Sequence, residues 1–151
     1  VLAKKAAYVY GIEIIDSMVL VATKNNCFEN LTFICGDATN YNYDELEPIT
    51  VVTMSNVLEH IEHRVEFLTK IINQVKWKDN TNKRLLIRVP MLDRDWISVY
   101  KKNMGVEWRL DKTHFTEYTM DSFENEMKKA HIKILEISVK FGEVYAVCEA
   151  K

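Results

Sequence analysis

Ile49-Thr50-Val51-Val52-Thr53-Met54-Ser55-Asn56-Val57-Leu58-Glu59-His60-Ile61 is an apolar run that ends in small polar residues and then changes period. Its first half, rich in Val and Ile, reads as a short strand. Beyond it, Ile61, Val65, Leu68, Ile72 and Val75 recur at spacings of four and three, a single apolar stripe along a helix. A strand handing over to a helix within a few residues is half of a crossover unit. Parallel strands need such a crossover, so this stretch argues for a parallel sheet flanked by helices.

The same alternation extends outward in both directions. Upstream, residues 1–7 read as the tail of a helix feeding a strand over 8–14, rich in Val, Ile and Tyr. Ser17 is the expected N-cap of a helix of about two turns ending near Asn25 and Asn26, and residues 31–35 form a second strand. Downstream, 85–89 is a strand stopped by Pro90, whose missing N–H and fixed φ suit a strand end. Ile97, Tyr100 and Met104 mark a short helix closed by Gly105, and Met120, Phe123, Met127 and Ala130 mark another after Thr119. Residues 132–140 and 144–149 are strands joined at Phe141, Gly142 and Glu143, a connection short enough to force an antiparallel hairpin. The expected fold is α/β: a doubly wound, mostly parallel sheet with a C-terminal antiparallel hairpin.

Composition narrows the function. With 151 residues and 48% hydrophobic content, the chain can bury one core, and a single domain over 1–151 is expected. A net charge of -2 and no dense basic cluster argue against nucleic acid as a partner. No apolar run approaches the ~20 residues that span a bilayer, so no membrane association is expected. Cys27, Cys35 and Cys148 are odd in number, and two fall in apolar runs expected to be buried strands. That pattern suggests reduced thiols and a cytoplasmic setting.

In open α/β sheets ligands sit beyond the carboxyl ends of the strands, which directs attention to the residues just after each strand. Glu13, with Ile14, ends the first and can offer two carboxylate oxygens to a ribose diol. A nicotinamide cofactor would use an acid there equally well, and so would a solvated or helix-capping role. Cys35-Gly36-Asp37-Ala38-Thr39 follows the second, with Gly36 allowing close approach or simply making a turn. Glu59 and Glu62 suit the exposed start of the helix after residue 61, where negative charge is favoured by ~0.3–1 kcal/mol. His60 and His63 beside them fit that exposed helix start better than a metal site, so no metal is expected.

Taken together, these segments resemble the class I S-adenosylmethionine-dependent methyltransferases, a Rossmann-like family, over nearly the whole chain. The resemblance implies S-adenosyl-L-methionine as cofactor. It implies that Glu13 and Ile14 face the ribose, that Asp37 receives the adenine amino group, and that the Ala38 N–H meets the ring. Asn56 and Val57 would flank the methionine part, with His60 aimed at the substrate mouth. The departure is at the front: Gly11, Gly36, Gly105 and Gly142 supply no Gly-x-Gly pair, and the first residue is Val1. An N-terminally truncated domain, lacking the family's central first strand, is the resulting expectation. Sheet edges left open by that loss would invite a homodimer.

Residues 91–118 are dense in aromatic and polar side chains, and long segments of this kind often act as binding loops. In similar methyltransferases the corresponding insertion covers the acceptor. Trp96, Arg109 and Tyr118 are the substrate candidates, although rings packed over the sheet are the plain structural alternative. Methyl transfer requires alignment of acceptor and methyl and exclusion of water. An alcohol or amine acceptor must also lose a proton, for which His114, set among Asp111 and Glu117, is the first candidate and His60 the second. The expected function is methyl transfer to an oxygen or nitrogen of a small-molecule acceptor. A degenerate methyltransferase-like binding module is the alternative from another class. A nicotinamide-dependent oxidoreductase shares Glu13 but leaves Gly36-Asp37-Ala38 and the terminal hairpin unexplained.

Overall fold

The computed structural model describes residues 2–79 and 81–150. They fall into two compact units, Val1–Asn42 and Tyr43–Lys151.

In the first unit, β1 (Val9–Glu13) and β2 (Leu31–Cys35) pair in parallel, with Glu13 opposite Cys35. Helix α1 (Asp16–Asn25) makes the crossover. The cap differs from expectation: Ile15 occupies the N-cap without a side-chain cap, and Ser17 lies inside the first turn. Glu13 accounts for this, because its Oε1 accepts the Ile15 N–H at 2.9 Å and starts the helix earlier. Residues 2–4 form a 3₁₀ turn, tied down by Asn30, whose amide donates to the Ala3 and Ala6 carbonyls. Within β1, a Cβ on Gly11 would come 2.8 Å from the Phe33 ring, so the bare backbone there makes room for the cross-strand aromatic.

The second unit carries four strands in the order β3 (Val51–Ser55), β4 (Lys83–Pro90), β6 (Glu143–Ala150), β5 (Ile132–Lys140). β3 and β4 are parallel, connected through α2 (Arg64–Gln74). The hairpin inserts β6 antiparallel between β4 and β5, as the short connection requires. Its turn is tighter than the sequence suggested: only Phe141 (φ 54) and Gly142 (φ 72) lie outside the strands, both left-handed, as a two-residue hairpin turn demands. Gly142 is further constrained, since a Cβ there would collide with the Arg94 Cβ.

Alternate residues of β4, namely Leu85, Ile87 and Val89, are buried with Val144, Ala146 and Cys148 of β6. Phe67, Leu68, Ile71 and Ile72 of α2 join this core, as do Phe123 and Met127 of α4 (Met120–Lys129). Each large apolar side chain buried this way contributes roughly 1.5–3 kcal/mol. Helix α4 begins with a reciprocal cap, in which Thr119 and Ser122 satisfy each other's backbone N–H groups. Helix α3 (Trp96–Asn103) is capped by Asp95 and closed by Gly105 at φ 68, the expected stop.

Alternating strands and helices, two parallel pairs and a terminal antiparallel hairpin make the chain α/β as expected, although the described strands form a two-stranded and a four-stranded sheet. Among the described residues no helix is long and apolar enough to cross a membrane. The three thiols are free, and Cys35, expected to be buried, is exposed at the carboxyl end of β2. Cys148 is buried, which pushes its thiol up to about 11.

Candidate functional site

In the first unit the carboxyl ends of β1 and β2 bring two acids to the same end of one strand pair. Glu13 is half-buried and spends Oε1 on Ile15. Asp37, two residues past β2, accepts the Thr39 N–H at 2.8 Å and its hydroxyl at 2.7 Å through Oδ1, while Oδ2 takes the Asn40 amide at 3.0 Å. This loop is therefore built around the Asp37 carboxylate. Gly36 meets only the Tyr41 ring at 3.6 Å, so protein packing does not demand a glycine there. A bare backbone with open space beside it suits close approach of a flat ligand, and Ala38 follows directly. Ile14 is exposed at the same end.

In the second unit β3 ends at Ser55, and Asn56 takes φ 55 as its N–H donates to the Arg88 carbonyl. Asn tolerates this left-handed conformation better than most residues. Val57 follows, and Leu58–His60 form a separate 3₁₀ turn before α2 starts at Arg64. That separation overturns the expected setting of Glu59. Instead of lying at an exposed helix start, its side chain is 0% exposed and neither carboxylate oxygen receives a hydrogen bond of acceptable geometry. The physical cause is the loop laid over it: the Phe115 N–H donates to the Glu59 carbonyl at 2.7 Å. Burial pushes the Glu59 carboxyl above its usual range, opposed by its own backbone N–H and by the imidazoles of His60 and His114.

The two candidate histidines come together, with ring centroids 4.6 Å apart and edge to face. His114 is buried and its Nδ1 lies 2.7 Å from Glu117 Oε1, which also accepts the Leu110 N–H at 3.2 Å. His60 is exposed, and its Nδ1 lies 3.0 Å from Thr113 Oγ1. Thr113 Oγ1 is in turn 2.7 Å from Asp111 Oδ1. Each ring is thus held by a second side chain that sets its orientation.

The substrate candidates separate. Trp96 is 73% exposed and tilted against Tyr100 on α3. Arg109 clasps Glu107 through Nε and Nη2 and gives Nη1 to the His114 carbonyl at 2.7 Å, which makes it a strut for the histidine loop. That clasp holds the Glu107 carboxyl down at about 2. Tyr118 is 1% exposed and donates to Glu126 Oε1 at 2.6 Å, while Arg64 Nε meets Glu126 Oε2 at 2.6 Å. It is a core residue in this structure, and its hydroxyl is raised well above the usual phenol range, first by burial and then by Glu126. Sequence reasoning missed this triad and the inward-facing Glu59. No local signal marks either, because both depend on which segments pack across the turn.

A family model described as "Methyltransferase domain" matches residues 1–77. No curated protein sequence matches the chain. Among solved structures, a S-adenosylmethionine-dependent methyltransferase from Methanosarcina mazei aligns with a TM-score of 0.74 and 13% identity, over 99% of this chain and 84% of the other. One from Anabaena variabilis aligns at 0.70 and 14% identity, over 99% and 71% of the two chains. Magnesium protoporphyrin IX methyltransferase from Synechocystis, solved with SAH bound, aligns at 0.64 and 19% identity, over 99% and 67%. At these identities the structural likeness speaks for the fold.

Proposed function

This chain belongs to the methyltransferase domain family, and from that premise we propose that it carries methyl transfer from S-adenosylmethionine to an oxygen or nitrogen of a small-molecule acceptor. The observation that supports cofactor binding most directly is the pair of acids at the carboxyl ends of β1 and β2. Glu13 would hold the ribose diol; the Asp37 carboxylate and the Ala38 N–H would take the adenine; Asn56 and Val57 would flank the methionine part. The donor set fits adenosine, although the chain has no Gly-x-Gly pair to add to it. Bound there, S-adenosylmethionine would supply an electrophilic methyl group for the acceptor's lone pair, with the neutral thioether as the leaving group that keeps the C–S electron pair.

On the acceptor side, His114 is the first choice to receive the acceptor's proton, oriented by Glu117, with His60 as the second. Arg109 fixes the loop, and Trp96 offers an aromatic face to the acceptor. We read residues 1–151 as one methyltransferase-like domain with 91–118 as the acceptor-covering segment, in a cytoplasmic setting consistent with free thiols.

Isothermal titration of the full chain with S-adenosylhomocysteine tests the reading. Saturable binding is expected, weakened tenfold or more in Glu13→Ala and Asp37→Ala. No binding at millimolar ligand would refute it and favour a noncatalytic binding module, while preferential binding of a nicotinamide dinucleotide would move the chain to redox chemistry.

A further inference from the structure

One ligand atom from each of Glu59, His60 and His114 lies within 4.8 Å of the other two, and one of the three residues is a fully buried acid. Among the described residues neither Glu59 oxygen has a hydrogen-bond partner in good geometry. An ionised carboxylate left in that state is costly unless a cation or a proton joins it.

The hydrogen bonds around the histidines show which nitrogen each ring has to spare. A carboxylate only accepts, so His114 Nδ1 must carry the proton it gives to Glu117. Thr113 Oγ1 spends its single proton on Asp111 Oδ1, so it accepts from His60 Nδ1. Both rings therefore donate through Nδ1, which leaves Nε2 as the nitrogen that a neutral imidazole offers to a ligand. A carboxylate behind the imidazole is the usual support of a metal-bound histidine, fixing its tautomer and raising its basicity.

We propose that Glu59, His60 and His114 bind a divalent transition-metal ion, with Glu117 and Thr113 as positioning residues behind the two imidazoles. Two imidazoles and one carboxylate suit zinc or iron(II), whereas magnesium and calcium prefer all-oxygen sites. A metal ~2.0–2.2 Å from each donor brings the three donor atoms to roughly 3.3–3.6 Å of one another. Side-chain rotation of about 1 Å reaches that from the present spacing. Three protein ligands leave a coordination position open, as in catalytic rather than structural sites. Where the methyl-transfer reading holds, and only there, the open position would take an acceptor oxygen. The cation would then lower that oxygen's pKa so that its proton leaves to water, a task otherwise given to the imidazole, which narrows the acceptor to an alcohol or phenol.

The test uses the full chain, stripped with a chelator and titrated with Co²⁺ alone, read by visible d–d absorption and by calorimetry. This readout needs neither S-adenosylmethionine nor turnover, so its failure is distinct from failure of S-adenosylhomocysteine binding. Expected are one equivalent bound and at least tenfold weaker affinity in Glu59→Gln and in His114→Ala. Glu117→Gln should weaken binding about 10- to 100-fold. His63→Ala and His131→Ala should leave it unchanged, with circular dichroism confirming that each variant is folded. Absence of binding would overturn the proposal and mean that Glu59 simply holds a proton. So would binding that survives Glu59→Gln and His114→Ala, or that is lost equally in the His63 and His131 variants.

Discussion

Replacing Glu59 in the chelator-treated chain by Met, which keeps the length and removes both oxygens, should stabilise the fold. Glu59 is 0% exposed with neither oxygen hydrogen-bonded, and a buried polar group in that state costs about 1–3 kcal/mol, more if charged. In a chain of this size each kcal/mol shifts Tm by roughly 2–4 °C, so Glu59→Met should melt roughly 2–12 °C higher at pH 8. The pH dependence has a definite sign. Burial raises the folded-state pKa of Glu59 above the ordinary 4.5, so the folded chain holds this proton more tightly than the unfolded one. The associated stability is full below 4.5 and is lost as pH rises through the raised folded value. Glu59→Gln, which cannot titrate, should therefore gain on the wild type between pH 4.5 and pH 8. The assay is a thermal melt followed by circular dichroism in EDTA across that range. A Glu59→Met variant that melts lower than wild type at pH 8, or a wild-type-to-Gln difference that stays flat with pH, would refute the reasoning. Added Zn²⁺ should raise the wild-type Tm by more than that of either variant.

Tyr118→Phe removes the buried hydrogen bond to Glu126, a bond to a charged partner worth about 1.5–3 kcal/mol. Its Tm should fall by roughly 3–12 °C while acceptor KM stays put. An unchanged Tm with a raised KM would instead place Tyr118 at the acceptor. Among the described residues β1 is paired with β2 and β3 with β4, and a strand edge without a paired neighbour is a template for a second chain. Light scattering should accordingly find dimers or larger species, and a monodisperse monomer would count against edge-to-edge association.

Most of the element order was legible in the sequence because the signals are local. Val65, Leu68 and Ile72 of the apolar stripe lie on α2, with Val75 at its C-cap and Ile61 in the extended residue before it, while the Phe123–Met127 spacing lies on α4, and the Thr119 start and Gly105 stop are where capping chemistry places them. These readings depend on neighbours within one or two turns, and nothing distant competes with them. Ser17 failed as a cap because the competing group, the Glu13 carboxylate, sits just before the helix and reaches forward to accept the Ile15 N–H.

The sequence by itself determined an α/β chain, its terminal hairpin and the acids at the ends of β1 and β2, since period, turn chemistry and strand length act through adjacent residues. Tertiary structure alone decided what surrounds Glu59 and the two histidines. Thr113 reaches His60 across 53 positions, and the Phe115 N–H closes over Glu59. A glutamate beside a histidine before a helix has the same sequence whether water or a folded loop lies above it. Burial, and with it the hydrogen-bond partner of each imidazole and the unmet oxygens of the Glu59 carboxyl, is a property of the packed loop and is absent from any short stretch of chain.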